Sequence, residues 1–366
     1  METTIKPVFK KGSGTDIYAR LRREATKLVE QLEPLRRNTI LFKAFLFPLA
    51  YCATWLLALV FAPSPGVYYF CFFLLGIQLV SIFLNIIHDA VHGTLFKGKK
   101  ANRIMVYLFD LMGANSFIWR QRHIRFHHNY PNVLGWDTDV DQSRLFRLFP
   151  SAPHYPMNRY QHLYLPLVYP LFLFNWLLLR DFRDFFNKRK MVHKLIRIPA
   201  AEYVKLMFFK VFFLAYTLFI PKFGAGIPWR QAIAGFVMMV LTASVFSLIT
   251  LLPPHANTEN KFPIPDEKNE MPEDWFMHML ETTNDVKESN GFTRFFLGNF
   301  NFHVVHHLFP QINHVYYPEL THLLEKYASE YHLPYRKYPL FRTLANHYRL
   351  VRQNRVSVNA LFGETM

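Results

Sequence analysis

The chain has only two cysteines, Cys52 and Cys71, in 366 residues. That excludes a disulfide framework and a cysteine-built metal site. Acidic residues are also scarce: 26 Asp and Glu stand against 42 Lys and Arg, for a formal net charge of +16. No HExxH zinc-protease helix occurs, and no GxGxxG nucleotide turn. The first 40 residues hold nine Lys and Arg. No short apolar core with a cleavage site follows them, so a signal peptide is not expected. Charge is missing altogether from two long stretches, Ala44 to Ala62 and Val67 to Ile87. An uncharged 21-residue run is foreign to a soluble protein and matches the roughly 20 residues that cross a bilayer.

What is present is therefore read as an all-α integral membrane protein with four transmembrane helices. The spans are placed at about 41–62, 67–87, 203–222 and 230–252, the third carrying Lys205 and Lys210. The links "APSPG" and "PKFGAGIP" are short and nearly uncharged, while the long polar segments, taken together, are basic. Basic segments stay in the cytosol, so the termini and long segments are expected there, with attraction to anionic lipid. A nucleic-acid partner is not expected. Two further apolar stretches, Leu163 to Leu179 with Pro166 and Pro170, and Ile104 to Trp119 with Asp110, are placed at the interface. The domain reading is a basic segment over 1–40, a membrane domain over 41–340 and a tail over 341–366. "ANTENKFPIPDEKNEMPED" reads as a loop.

The 17 histidines are concentrated. "HDAVH" gives His88 and His92, "HIRFHH" gives His123, His127 and His128, and "HVVHH" gives His303, His306 and His307. His255 closes the last span. Residues three and four apart share a helix face, so each box is expected to aim its imidazoles in one direction. The span count puts all nine on one side of the membrane, near its surface. Nine imidazoles exceed what one ion takes and suit two. Nitrogen ligation without carboxylates favours Zn, Cu, Fe or Ni over Mg or Ca. Of these, iron gives oxygen chemistry on unactivated apolar substrates. His154, His162, His193, His278, His314, His322, His332 and His347 read as ordinary core or surface residues.

The boxes HxxxH, HxxxHH and HxxHH, in this order around two pairs of spans, resemble the membrane fatty acid desaturase superfamily. "HHNYPNVLGWDTDVD", "RYQHLYLPLVYPLF", "HMLETTND" and "GNFNFHVVHHLFPQINHVYYPEL" are similar to bacterial acyl-CoA and acyl-lipid desaturases related to the delta-6 type. The likeness runs from about Leu41 to Pro339. It implies a non-haem centre of two iron ions in a cytosolic helical cap, with His88, His92, His123, His127, His128, His303, His306 and His307 as ligands and His255 as a further one. It implies use of molecular oxygen to insert a double bond into a fatty acyl substrate, a CoA or lipid ester. Where front-end relatives usually open the third box with Gln, this chain has His303. The HPGG motif of a fused cytochrome b5 domain is absent, so the resemblance implies an external electron donor, ferredoxin or cytochrome b5 with its reductase, steered to a basic face.

Imidazole ligands usually donate their second N–H to a carboxylate or carbonyl. Candidates for that support are Asp89, Asp137, Asp139, Asp141, Glu281, Asn284 and Asn301. Arg120, Arg122 and Arg125 are candidates for holding a phosphate-bearing head group. Three other functions stay open. A di-iron hydroxylase or ketolase would leave oxygen in its product. A membrane haem electron carrier would show a Soret band. A metal transporter would need polar residues along its spans.

Overall fold

One helix, α1, runs unbroken from Ser13 to Val60, 48 residues, or about 72 Å at 1.5 Å per residue. The basic segment and the first apolar run are therefore one element, with no boundary at residue 40. The reason is local: between Lys27 and Ile40 the chain keeps strong helix formers and contains no glycine, and Pro34 and Pro48 are absorbed without ending the helix. The computed structural model describes residues 6–140 and 144–355. The chain is mainly helical. Among the described residues, the all-α expectation is corrected only by a two-residue parallel pairing of Asp285–Val286 with Lys337–Tyr338 and a single bridge from Val8 to Glu270.

Among the described residues, five helices are long and apolar enough to cross a membrane. They are α1, α2 (Pro65–His92), a segment over Pro156–Leu195, and the helices Ala200–Gly224 and Trp229–Leu251. Between α2 and the third of these lie α3 (Lys99–Leu111) and α4 (Ser116–Gln121), both too short to span. In chain order the next are α5 (Pro156–Leu195), α6 (Ala200–Gly224) and α7 (Trp229–Leu251). α5 is broken into 3-10, α and π pieces around Pro166 and Pro170. Two of the three lysines of α6 are matched: Lys205 pairs with Asp110 and Lys210 with Asp181 at 2.7 Å.

α2 packs between α1 and α7. Its contact with α7 is made close by Gly76, where a Cβ would lie 2.5 Å from the Met239 carbonyl oxygen. After α7 come α8 (Trp275–Thr282), α9 (His303–Leu308), α10 (Tyr317–Glu330) and α11 (Leu340–Gln353). α8 and α10 pack on α1 and on α9, which lies beside the first histidine box at the end of α2, while α11 packs on α5. α2 does not stop at residue 87: it widens into a π turn over Phe83–Ile87 and continues through His92, ending at Gly93 in the left-handed conformation. Box one is thus the last turn of a long apolar helix. The neighbouring turn is held by Gly298 (φ +56), where a Cβ would meet the Leu84 carbonyl oxygen at 2.9 Å, and by Asn85, which donates to Phe296 O.

Candidate metal centre

Asn115 caps α4 by accepting from Ile118 N, and the helix then opens into a π turn over Arg122–His127. His128 N donates to His123 O at 3.0 Å, five residues back. Such a turn has more residues per revolution than an α-helix and is frequent at functional sites. It brings His123 and His128 onto one side and sends His127 to the other. Box three stays α-helical. There His303 and His307, four apart, share a side, and His306 faces away from them.

The consequence is two groups. His88, His92, His123, His128 and His306 bring one ring nitrogen each within 4.8 Å of one another, and so do His127, His255, His303 and His307. All nine sequence-selected imidazoles are placed here, and all but the partly buried His92 are buried. The expectation that each box points one way holds for box one only. Boxes two and three divide between the groups, because a π turn advances five residues per side and an α turn four.

The donor atoms fit metal ions. The Nε2 atoms of His88 and His123 lie 3.1 Å apart, those of His128 and His123 3.0 Å. In the second group His255 and His303 are 2.7 Å apart, and His307 is 3.2 Å from each. Two nitrogens at right angles on one ion, with bonds of about 2.1 Å, would stand roughly 3 Å apart. His92 Nε2 and His306 Nε2 are buried with no protein partner among the described residues. Leaving such an atom unsatisfied costs roughly 1–3 kcal/mol, which a bound cation offsets.

The outer nitrogens set the inner ones. His123 Nδ1 is 2.8 Å from Asp139, and His127 Nδ1 is 2.9 Å from Asp137. His306 Nδ1 is 3.0 Å from the Tyr317 hydroxyl. With the proton on Nδ1, each of these rings presents the Nε2 lone pair inward. Asp137 is itself fixed by the backbone N–H groups of Asn132, Asp139 and Val140. Burial alone disfavours charge on Asp139, but the His123 hydrogen bond and Arg122 overcome it and hold that carboxyl below its usual range. Burial also opposes charge on His127, yet Asp137 reverses the effect and raises its pKa. His255 is pushed down to about 3 by burial and by His127. His128, His303, His306 and His307 are lowered well below the ordinary value by burial and by neighbouring histidines. At neutral pH these five rings are neutral and ready to coordinate.

Other candidates lie elsewhere. Asp89 receives His314 Nδ1 at 2.5 Å and Asn313 Nδ2 at 2.7 Å, with no box histidine on its carboxylate. Glu281 pairs with Lys261. Asn284 accepts from Asn257 and Asn260, and Asn260 in turn holds the His255 carbonyl. Asn301 donates to Val286 O. Asp141 lies outside the described residues. Arg122 corrects the head-group expectation: it is 1 % exposed and bound to Asp184 and Asp139 at 3.0 Å each. Burial in an ion-paired network removes it from any surface ligand.

Sequence reading missed Tyr317, His314 and Asn132. Asn132, at φ +57, donates to the carbonyls of His255, Lys261 and Thr282 and so ties box two to the His255 loop. Only its place directly after box two, in "HHNYPN", could have marked it. His314 stands alone in the sequence, and no local spacing distinguishes it.

The sequence profile of the fatty acid desaturase family matches residues 63–339. The sn-1 linoleoyl-lipid 6-desaturase of Synechocystis sp. is 30% identical over 279 residues, 75% of this chain and 77% of that protein. The protein of the same description from Arthrospira platensis is 28% identical over 286 residues, 78% of this chain and 77% of its own length. An acyl-lipid (8-3)-desaturase of Physcomitrium patens is 28% identical over 322 residues, 87% of this chain and 66% of its own.

Proposed function

The chain belongs to the fatty acid desaturase family, and from that premise we propose that it desaturates acyl chains esterified in membrane lipid, using two iron ions and molecular oxygen. The observation that carries the reading is the division of nine inward-facing imidazoles into groups of five and four. The names of the relatives above support a lipid ester over a CoA ester as substrate. Removing two hydrogens from neighbouring methylenes while oxygen becomes two waters requires two further electrons and two protons. The electrons are assigned to an external carrier such as ferredoxin or cytochrome b5.

Iron held by these imidazoles would supply the oxygen chemistry. The chain's own residues do the rest. Asp137, Asp139 and Tyr317 orient His127, His123 and His306 and keep their protons on the outer nitrogen. Burial of the rings keeps bulk water from the reacting chain. An apolar cleft of about 260 Å³ between α5, α7 and α11, lined by Leu165, Tyr169, Val245, Leu252, Leu344 and Val351, is assigned to the approach of the acyl chain. His347, at its wall, bonds Ala256 O, the residue after His255.

For the membrane arrangement we propose four spans, α1, α2, α6 and α7, with α5 at the interface and the histidine boxes on the cytosolic side. Three features support this. α5 is broken at its prolines, and its Asp184 binds Arg122 beside box two. Its Asp181 binds Lys210. An even number of spans leaves the basic segments on one side, as the distribution of charge requires.

The test is expression in a host with a simple fatty acid profile, with wild type beside His306→Ala. A new alkene, made by the wild type alone, is expected. A product that keeps oxygen would replace the desaturase reading with a hydroxylase. Active protein devoid of iron would overturn the choice of metal.

A further inference from the structure

A groove of about 710 Å³ lies between α1 and α10, closed at one end by Arg294, Phe295 and Asn299. Arg36, Thr39 and Lys43 line it from α1, and Glu319, His322 and Lys326 from α10. Each set has the i, i+3, i+7 spacing of one helix face. Four cations therefore meet one carboxylate, and that carboxylate, Glu319, is paired with Arg36.

The cations have different tasks. Lys43 is 3 % exposed, and its ammonium lies within hydrogen-bond reach of Asn85 Oδ1, the Arg294 carbonyl and His314 Nε2. Its donors are spent on the protein, so it is no free partner for a ligand. The Arg294 guanidinium and the Lys326 ammonium reach the exposed mouth, and neither has a carboxylate partner among the described residues. A guanidinium with an ammonium nearby suits a phosphate.

The groove sits where α1 changes character. Arg36 and Arg37 precede this change, and from Ala44 to Val60 the helix carries no charge. The outer side of α1 exposes Leu35, Phe42, Phe45 and Leu49. A helix that turns apolar at this level enters the hydrocarbon there, so the groove opens among lipid head groups. Leu28, Val315, Pro318 and Leu323 give its walls an apolar lining against which a glycerol backbone and acyl roots can lie.

We propose that this groove binds the phosphate-bearing head group of a membrane phospholipid. The site takes over the role that Arg122, spent on buried carboxylates, does not fill. It also reaches the metal centre: His314 lies between Lys43 and Asp89, the residue after His88.

The proposal rests on the membrane reading and is independent of the reaction, so the test involves no turnover. The full chain in neutral detergent is titrated with dioctanoyl phosphatidylglycerol and followed by native mass spectrometry. Parallel arms use dioctanoylglycerol, inorganic phosphate and coenzyme A as competitors. The exposed pair is neutralised in the double variant Arg294→Gln, Lys326→Gln, with Lys188→Gln as the control. Saturable binding of the phospholipid is expected, weakened about tenfold or more in the double variant and unchanged in the control. Dioctanoylglycerol, phosphate and coenzyme A are expected to compete poorly. Equal binding by the double variant and wild type would overturn the site. Displacement by phosphate or coenzyme A as effective as by the phospholipid would overturn the lipid assignment. Loss of desaturase activity in a separate assay, with binding intact, would count against the reaction alone.

Discussion

Asp139 receives His123 on one carboxylate oxygen and Arg122 on the other. It therefore fixes a ring of the five-histidine group and anchors the π turn at once. Asp139→Asn keeps the shape and removes the charge. Metal retention is expected to fall about 10–100-fold, measured by competition with a chromogenic chelator. Glu281→Gln, whose carboxylate pairs with Lys261 and holds no box histidine, is expected to leave retention unchanged. At this scale the sequence was informative where residues were crowded. The nine box and span-end histidines stood out by spacing, and Asp137 and Asp139 by their place just after box two. His314 and Tyr317 were hidden because each acts across a fold contact, on Asp89 and His306, that no local pattern encodes. Asp89, adjacent to His88, attracted attention for the opposite reason: nearness in sequence, with a side chain that serves another partner.

The element that decides the partition of the histidines is the π turn Arg122–His127. Reading box two on an α-helix puts His123 and His127 together, whereas the structure puts His123 with His128. A one-residue widening leaves no trace in composition or periodicity, so it was not legible. It has a direct test. Arg125 is exposed, so Arg125→Ala is expected to leave metal content intact. Deleting Arg125 sets His123 and His128 four apart, the α-helical spacing that keeps them on one side, whereas inserting an alanine after Arg125 rotates the two following histidines by about 100° relative to His123. Metal per chain in the insertion variant, measured by inductively coupled plasma spectrometry, is expected to fall to half or less. The long elements were legible where uncharged runs were long. The start of α1 was not, since a charged amphipathic helix and an apolar span join without a break.

For the molecule as a whole, the +16 charge is the largest long-range feature. If the electron carrier is acidic, its encounter with the basic face is steered by a field that salt screens. Raising ionic strength from about 0.05 to about 0.5 M is expected to slow reduction by the carrier several-fold, read by stopped-flow spectroscopy, with little effect on activity driven by a neutral chemical reductant. A flat salt response would point to docking through apolar contacts.

Neighbouring histidines stand in opposite groups: His127 beside His128, and His306 beside His307. The backbone that positions one ligand set is the backbone that positions the other, so ordering either set prepares its counterpart. A first ion bound there would carry the cost of organising both boxes, and a second would meet a finished site. Loading is therefore expected to be cooperative. In a native mass spectrum taken during metal titration, chains with no ion and chains with two should dominate, and the singly loaded form should stay minor at every ratio.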